Sequence, residues 1–298
     1  MNRLNLAVFA TFSLILGFGA SAATVPLRIT DGDFDMGRMY VPIRVGNFKG
    51  VMRLDTGATS SRVLLADWNK DFTVVDQTQS MSASGKVVTC DAVEATNVAL
   101  ESQGSANIGR SKYTLRRCPN SDGEDLLGLD FFDGTFLTIN FDQGILEVGP
   151  KATGQMKGPV QRLPILDSGQ PLAAVPLNPG GEDVLGMLDS GAELSAADTL
   201  FVEAHPEWFE YVTEAAQATD AGGNAWAPKI YRVKNLKVAG MFNLENTHLL
   251  VYDFGVLREA LGPKTPFILG FNIMSQFNWA FDFTRGHSPT FSLEPRKH

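Results

Sequence analysis

Two short segments of the chain carry the residues best suited to chemistry. Each begins with an aspartate that follows an apolar run, and the segments read Asp55-Thr56-Gly57-Ala58 and Asp189-Ser190-Gly191-Ala192. Two carboxyl groups within hydrogen-bond range cannot both ionise cheaply, so they would share one proton. The ionised group could then activate water while the protonated group donates to a carbonyl oxygen. Asp55 and Asp189 are therefore the predicted catalytic pair.

An internal repeat could bring these two distant aspartates together. Residues 54–58 align with 188–192 at an offset of 134, and Leu126-Leu127-Gly128 aligns with Ile268-Leu269-Gly270 at an offset of 142. The second half thus carries eight more residues between its two landmarks. A repeat of this size predicts two similar lobes, each of which supplies one aspartate.

The tetrads and the two apolar-apolar-Gly elements together resemble the aspartic peptidases of the pepsin and retropepsin type. The resemblance covers nearly the whole chain after its N-terminal segment, and the short lobes make it closest to a fused two-lobe retropepsin-like protein. It implies a mainly β fold of two similar β-barrel-like lobes with short helices and a site in the interlobe cleft. It also implies an aspartic endopeptidase without a cofactor. Because one chain supplies both half-sites, a monomer should suffice.

The resemblance also assigns supporting and substrate-binding residues. Gly57 and Gly191 allow a sharp turn and a close approach of the lobes, Ala58 and Ala192 keep the site small, and the hydroxyl groups of Thr56 and Ser190 can bond to the opposite loop. By position, Glu193 inherits a contact to the substrate backbone, whereas Thr59 occupies the matching place in the first half and departs from the pattern. The predicted flap tips are 82–86, with Ser84 and Gly85, and 220–224, with Gly222 and Gly223.

Short runs of alternating or β-branched residues, such as 40–45 and 247–252, predict strands, and 195–211 is the strongest helical segment, with Ser195 as a possible N-cap and Pro206 as a break. The predicted segments are a signal peptide at 1–22, an N-terminal lobe at 23–150, a linker at 151–164 and a C-terminal lobe at 165–298. Residues 4–19 are almost wholly apolar and precede small residues typical of a cleavage site, which favours export to the periplasm or outside the cell. After cleavage no membrane partner is expected.

Cysteine usage and charge narrow the function classes further. The two cysteines, Cys90 and Cys118, predict one disulfide in an oxidising compartment, with two buried thiols as the alternative. The four histidines are scattered, so no metal site is expected. A formal net charge of -8 argues against nucleic acid as a partner and leaves a peptide or protein substrate as the expected one.

Two other functions are compatible with paired aspartates. A non-catalytic relative with the same two lobes would bind a peptide or a protein without cleaving it, although both carboxylates and both neighbouring hydroxyl residues are intact. A glycosidase also uses two acids, but its acids are not expected inside duplicated Asp-Thr/Ser-Gly loops. The sequence therefore favours peptide hydrolysis.

Overall fold

The computed structural model describes residues 22–81, 87–103, 108–119, 123–150, 158–167, 171–214, 218–219 and 225–297. Strands dominate this part of the chain, as the sequence predicts. The strands of the first half are β1 (Ala23–Pro26), β2 (Arg28–Asp31), β3 (Gly37–Val45), β4 (Phe48–Asp55), β5 (Arg62–Leu64), β6 (Thr73–Met81), β7 (Val87–Leu100), β8 (Gly109–Cys118), β9 (Leu126–Gly128), β10 (Phe136–Asn140) and β11 (Ile145–Gly149). Short 3-10 helices cover Asp33–Asp35 and Leu129–Phe132.

The second half contains more helix than the first. Its strands are β12 (Gln161–Arg162), β13 (Ile165–Asp167), β14 (Pro171–Asn178), β15 (Val184–Leu188), β16 (Ala196–Asp198), β17 (Phe209–Glu214), β18 (Ala218–Thr219), β19 (Ala225–Trp226), β20 (Lys229–Val238), β21 (Phe242–Tyr252), β22 (Phe267–Leu269), β23 (Phe277–Asp282) and β24 (Thr290–Pro295). Its helices are α1 (Thr199–Ala204), the 3-10 helix Pro206–Trp208, α2 (Val256–Leu261) and α3 (Phe271–Met274). None of the helices in the described ranges has the length and hydrophobicity needed to span a bilayer.

Two eight-stranded sheets have the same strand order. The first runs β2-β3-β4-β9-β5-β8-β7-β6 and the second β13-β14-β15-β22-β16-β21-β20-β17. Equivalent pairs share direction and register: β4 pairs in parallel with β9, and β15 pairs in parallel with β22. Each half therefore builds the same support for the loop that follows β4 or β15. Strands β18 and β19 form a separate two-stranded antiparallel sheet.

A six-stranded sheet joins the two halves, in the order β1-β11-β10-β23-β24-β12. Its central contact pairs β10 with β23, so that Leu137 lies opposite Phe281. Both side chains are buried, as is Trp279, whose ring stacks on Phe281 with centroids 5.8 Å apart. Burial of such aromatic side chains contributes several kcal/mol each, about 3–5 when one is truncated to alanine. This sheet holds the halves together at a fixed spacing.

The helix predicted at 195–211, with a break at Pro206, is shorter in the structure and begins later. Residues 196–198 form β16, which pairs with β21 and β22, and only then does the six-residue helix α1 begin. Its N-cap is Asp198, whose carboxylate accepts from the amide of Leu200, rather than Ser195. Pro206 starts a 3-10 turn at the predicted break. Sheet pairing overrides helix propensity here because β16 completes the support beneath the second aspartate loop.

Candidate active site

Strands β4 and β15 deliver the two predicted catalytic residues. Asp55 is the last residue of β4, and Asp189 directly follows β15. The preceding residues Leu54 and Leu188 are buried, so each strand is anchored in the core up to the point where the carboxylate emerges. Such anchoring fixes the backbone position from which each carboxylate projects.

The loops that follow the strands are tied to each other by hydrogen bonds of the predicted hydroxyl residues. The amide of Thr56 donates to Oγ of Ser190 at 3.0 Å, and the amide of Ser190 donates to Oγ1 of Thr56 at 2.9 Å. The Ser190 hydroxyl in turn donates to the carbonyl oxygen of Leu54 at 2.8 Å. Both hydroxyl side chains are buried. The two loops therefore form one rigid unit across the interface between the halves.

The two glycines lie against the carboxylates of the opposite loops. A Cβ atom added to Gly57 would lie 2.6 Å from Cγ of Asp189, and one added to Gly191 would lie 2.6 Å from Cγ of Asp55. Both distances are shorter than any real Cβ contact, so only glycine fits at either position. This crossed arrangement brings the side chains of Asp55 and Asp189 together, as the sequence predicts.

The carboxylates differ in their surroundings. Oδ1 of Asp55 accepts from the amides of Gly57 and Ala58, both at 3.0 Å, whereas Oδ1 of Asp189 accepts from Gly191 alone, at 2.9 Å. The amide of Ala192 instead donates to the backbone carbonyl of Asp189 at 3.0 Å.

The pKa of Asp189 reflects this environment. Removal from water, followed by the charge of Asp55 and a hydrogen bond with it, raises the pKa of Asp189 to about 8. The charge of Arg53 and the amide of Gly191 act in the opposite direction without cancelling the rise. A carboxyl group with such a pKa is protonated at neutral pH and can act as a hydrogen-bond donor.

Equivalent serines support the two catalytic loops from below, and sequence reasoning missed them. Oγ of Ser61 accepts from the amide of Gly128, and Oγ of Ser195 accepts from the amide of Gly270, both at 2.9 Å. The serine hydroxyls donate in turn to a carboxylate in the first half and to an amide oxygen in the second, those of Asp130 and Asn272. Ser61 and Ser195 are related by the offset of 134, so the repeat itself held the signal that could have found them.

Comparison of the fold with known structures agrees with this architecture. A crystal structure of an aspartic proteinase from Irpex lacteus aligns with 93% of this chain and 98% of its own, at a TM-score of 0.53 and 15% identity. The chain has the pepsin-like fold. The basic 7S globulin from soybean aligns with 92% of the chain and 95% of its own, at a TM-score of 0.55 and 10% identity. No protein-family model and no curated protein matches the sequence significantly.

A charged network flanks Asp55 and Asp189 on one side. Glu193, predicted to contact substrate, accepts from Nε of Arg38 in the other half at 2.7 Å. Arg53 donates to Glu124 at 3.0 Å and lies 3.9 Å from Glu193. Glu193 is thus already bonded to a residue of the other half. Its substrate contact stays a prediction, as does that of Thr59.

The cysteines form the predicted disulfide. Cys90 of β7 bonds to Cys118 of β8 across a sequence separation of 28 residues, which excludes the alternative of two free thiols. The predicted flap residues Ser84, Gly85, Gly222 and Gly223 lie outside the described residues, so their role stays a prediction. Strands β6 and β7 flank the first of these segments, and β18 and β19 flank the second.

Proposed function

We propose that the protein is an aspartic endopeptidase that hydrolyses peptide bonds with water activated between Asp55 and Asp189. The observation that carries the proposal is the crossed placement of Gly57 and Gly191, each of which would clash with the opposite carboxylate if it carried a Cβ atom. Side chains held that close can share one proton. The pepsin-like fold is consistent with this chemistry but does not assign it, since one structural neighbour is named a proteinase and another a globulin.

The two carboxyl groups take different roles in the proposed reaction. Asp55, which accepts two amide hydrogen bonds, is the ionised base that takes a proton from water. Asp189, whose pKa is raised, donates its proton to the carbonyl oxygen of the peptide as the water oxygen bonds to the carbonyl carbon. Collapse of this tetrahedral species breaks the C–N bond; the proton held by Asp55 passes to the leaving nitrogen, and one hydroxyl proton of the species returns to Asp189. The products are a carboxylic acid and an amine, and no cofactor takes part.

Export completes the proposal. The apolar stretch at 4–19 ends in small residues typical of signal cleavage, and the Cys90–Cys118 disulfide is of the kind that persists in oxidising compartments. We place the protein in the periplasm or outside the cell, as a monomer that acts on peptides or proteins. We also propose that the protein is related to a fused pair of retropepsin-like units.

The decisive experiment maps cleavage products of unfolded casein and of a peptide library by mass spectrometry, from about pH 3 to pH 7. We expect cleavage by the natural sequence that pepstatin suppresses, and loss of cleavage in Asp55→Asn and in Asp189→Asn with circular dichroism unchanged. The exposed Asp67→Asn serves as the matched control. Near-normal activity in either catalytic variant refutes the assignment. Binding of peptides without cleavage at any pH would favour the non-catalytic alternative.

A further inference from the structure

One row of side chains beside the predicted catalytic pair differs in chemistry between the two halves. In the first sheet Arg53 lies opposite Leu126, and Leu126 lies opposite Arg62, on the adjacent strands β4, β9 and β5. Arg116 of β8 extends the row, because it pairs with Arg62. Residues at one level of a sheet point to the same face, so three of these four side chains bring a positive charge to that face.

The second half fills the same row with apolar side chains. Met187 lies opposite Ile268, Ile268 lies opposite Ala196, and Ala196 pairs with Leu250. The first three are buried in one apolar cluster together with Leu261 of α2, and Leu250 packs against that cluster. The fold therefore accepts an uncharged row at this level, and packing alone does not explain the arginines of the first half.

Arg53 reaches both halves of the site. It precedes Asp55 by two residues on the same face of β4, which separates their Cα atoms by about 6–7 Å. Its side chain is 12% exposed, and its Nη2 atom lies 3.9 Å from Glu193 in the loop of the other half. The charge of Arg53 also acts on Asp189.

Arg62 acts on the other carboxyl group. Removal from water lowers the pKa of Arg62, and among the charges that oppose this effect the largest contribution is that of Asp55. Nη2 of Arg62 donates to the backbone carbonyl of Glu124 at 3.0 Å, which helps to hold the guanidinium in place. A positive charge favours the ionised form of a neighbouring carboxyl group. The two arginines thus act on different members of the pair.

The other charged groups at this row largely pair with one another. Glu124 accepts from Arg53 at 3.0 Å and from the hydroxyl of Tyr40 at 2.7 Å, and Arg38 bonds to Glu193. Four arginines face three carboxylates, which leaves an excess of positive charge beside the pair. Besides Asp55 and Asp189, the charged and titratable groups at the row are Arg38, Tyr40, Arg53, Arg62, Arg116, Glu124, Asp125 and Glu193.

We propose that Arg53 and Arg62 are positioning residues of the aspartate pair: their charges hold one negative charge on it and thereby set the pH range in which it acts. The proposal rests on the proposed function, since that range is the one in which the pair shares a single proton. Arg53 acts on Asp189, which keeps the proton, and so limits the range on its alkaline side. Arg62 acts on Asp55, the proposed base, and so limits the range on its acid side. Both arginines move the range to lower pH.

The pH profile of kcat/KM tests the proposal, with residues of the second half as replacements. Arg53→Met should move the alkaline limb to higher pH, and Arg62→Ala should move the acid limb in the same direction. Each shift should be at least about 0.4 pH unit at low ionic strength, which a unit charge produces at about 7 Å in water and at longer range inside a protein. Arg53→Lys keeps the charge and should leave the alkaline limb in place.

Arg116→Leu serves as the distance control, because β8 lies one strand further from β4 than β5 does. It should shift the limbs less than Arg62→Ala does. Unmoved limbs in Arg53→Met and Arg62→Ala overturn the proposal, as does an equal shift in Arg116→Leu.

Urea denaturation separates this proposal from the peptidase proposal. In the natural sequence the stability contributed by the proton of Asp189 is lost as pH rises towards its folded pKa of about 8. Arg53→Met should extend this loss to higher pH whether or not a peptide is cleaved, and should have no such effect in the Asp189→Asn background. An extended loss without cleavage supports the charge effect while the peptidase proposal fails. Cleavage with unmoved limbs and an unmoved loss overturns the charge effect and leaves the peptidase proposal standing.

Discussion

The raised pKa of Asp189 predicts a specific pH dependence of stability. In the unfolded chain an aspartate has a pKa near 3.8, whereas in the folded protein that of Asp189 is about 8. Between about pH 5 and pH 7 the group is therefore ionised when unfolded and protonated when folded, so folding takes up one proton. The stability that this proton confers is complete below the unfolded pKa and is lost as pH rises towards 8.

The magnitude follows from linkage. Because folding takes up one proton, the free energy of unfolding falls by about 1.4 kcal/mol for each unit by which the pH rises. Between pH 5 and pH 7 the fall is about 3 kcal/mol. Asp189→Asn removes the ionisable group and with it this fall. The free energy of unfolding of the variant, relative to that of the natural sequence, should therefore increase by about 3 kcal/mol from pH 5 to pH 7. Asp55→Asn should have a similar effect of smaller size, because the charge and hydrogen bond of Asp55 contribute to the raised pKa of Asp189.

Urea denaturation at several pH values measures this difference. Fluorescence of the buried Trp279 and far-ultraviolet circular dichroism give two probes of the same transition. The control is Asp67→Asn, since the side chain of Asp67 is fully exposed and its removal should leave the pH dependence unchanged. Groups other than the catalytic pair titrate alike in all the proteins and cancel in the difference. A difference that stays constant from pH 5 to pH 7 would refute the shared proton, whatever the activity of the variants.

Two further predictions concern Gly57 and the disulfide. Gly57→Ala should abolish peptide hydrolysis and lower the free energy of unfolding by about 1–3 kcal/mol, because the new methyl group overlaps the carboxylate of Asp189; Gly32→Ala, whose methyl would have neighbours at 3.6 Å, should change neither activity nor urea denaturation. Replacement of both Cys90 and Cys118 by serine opens a loop of 28 residues and should lower the free energy of unfolding by about 3–4 kcal/mol, as measured by urea denaturation. Activity at low temperature should be retained. Equal stability with and without the disulfide would contradict this prediction.

The sequence predicted those parts of the molecule that repeat. The offset of 134 links Thr56 to Ser190, and these residues exchange hydrogen bonds because the repeat places both loops about one axis. The mainly β fold follows from local patterns in the same way. Local patterns also explain why the helix predicted at 195–211 is too long, because residues 196–198 pair with distant strands instead.

Contacts that do not repeat could not be predicted. The pairing of β10 with β23 joins the two halves, and no periodicity in either half indicates which edges meet. The bond between Arg38 and Glu193 spans 155 residues and has no counterpart under the repeat, because Leu172 stands at the position equivalent to Arg38. The length difference between the halves was visible, but only the fold reveals that its residues form α2 and cover a face of the second sheet.

Residues that differ between the two halves can give Asp55 and Asp189 different roles. Loops of identical construction would give Asp55 and Asp189 equal affinities for a proton, and a water molecule between them would have no preferred base. In the structure the loops differ in their amide hydrogen bonds, and groups outside the loops differ too, since Arg53 stands where the second half has Met187 and Arg62 stands where it has Ala196. The charge of Arg62 interacts with Asp55, whereas the charge of Arg53 acts against the raised pKa of Asp189, which burial and the neighbouring Asp55 produce. Under the proposed function, the residues that make the halves unequal thus determine the direction of proton transfer.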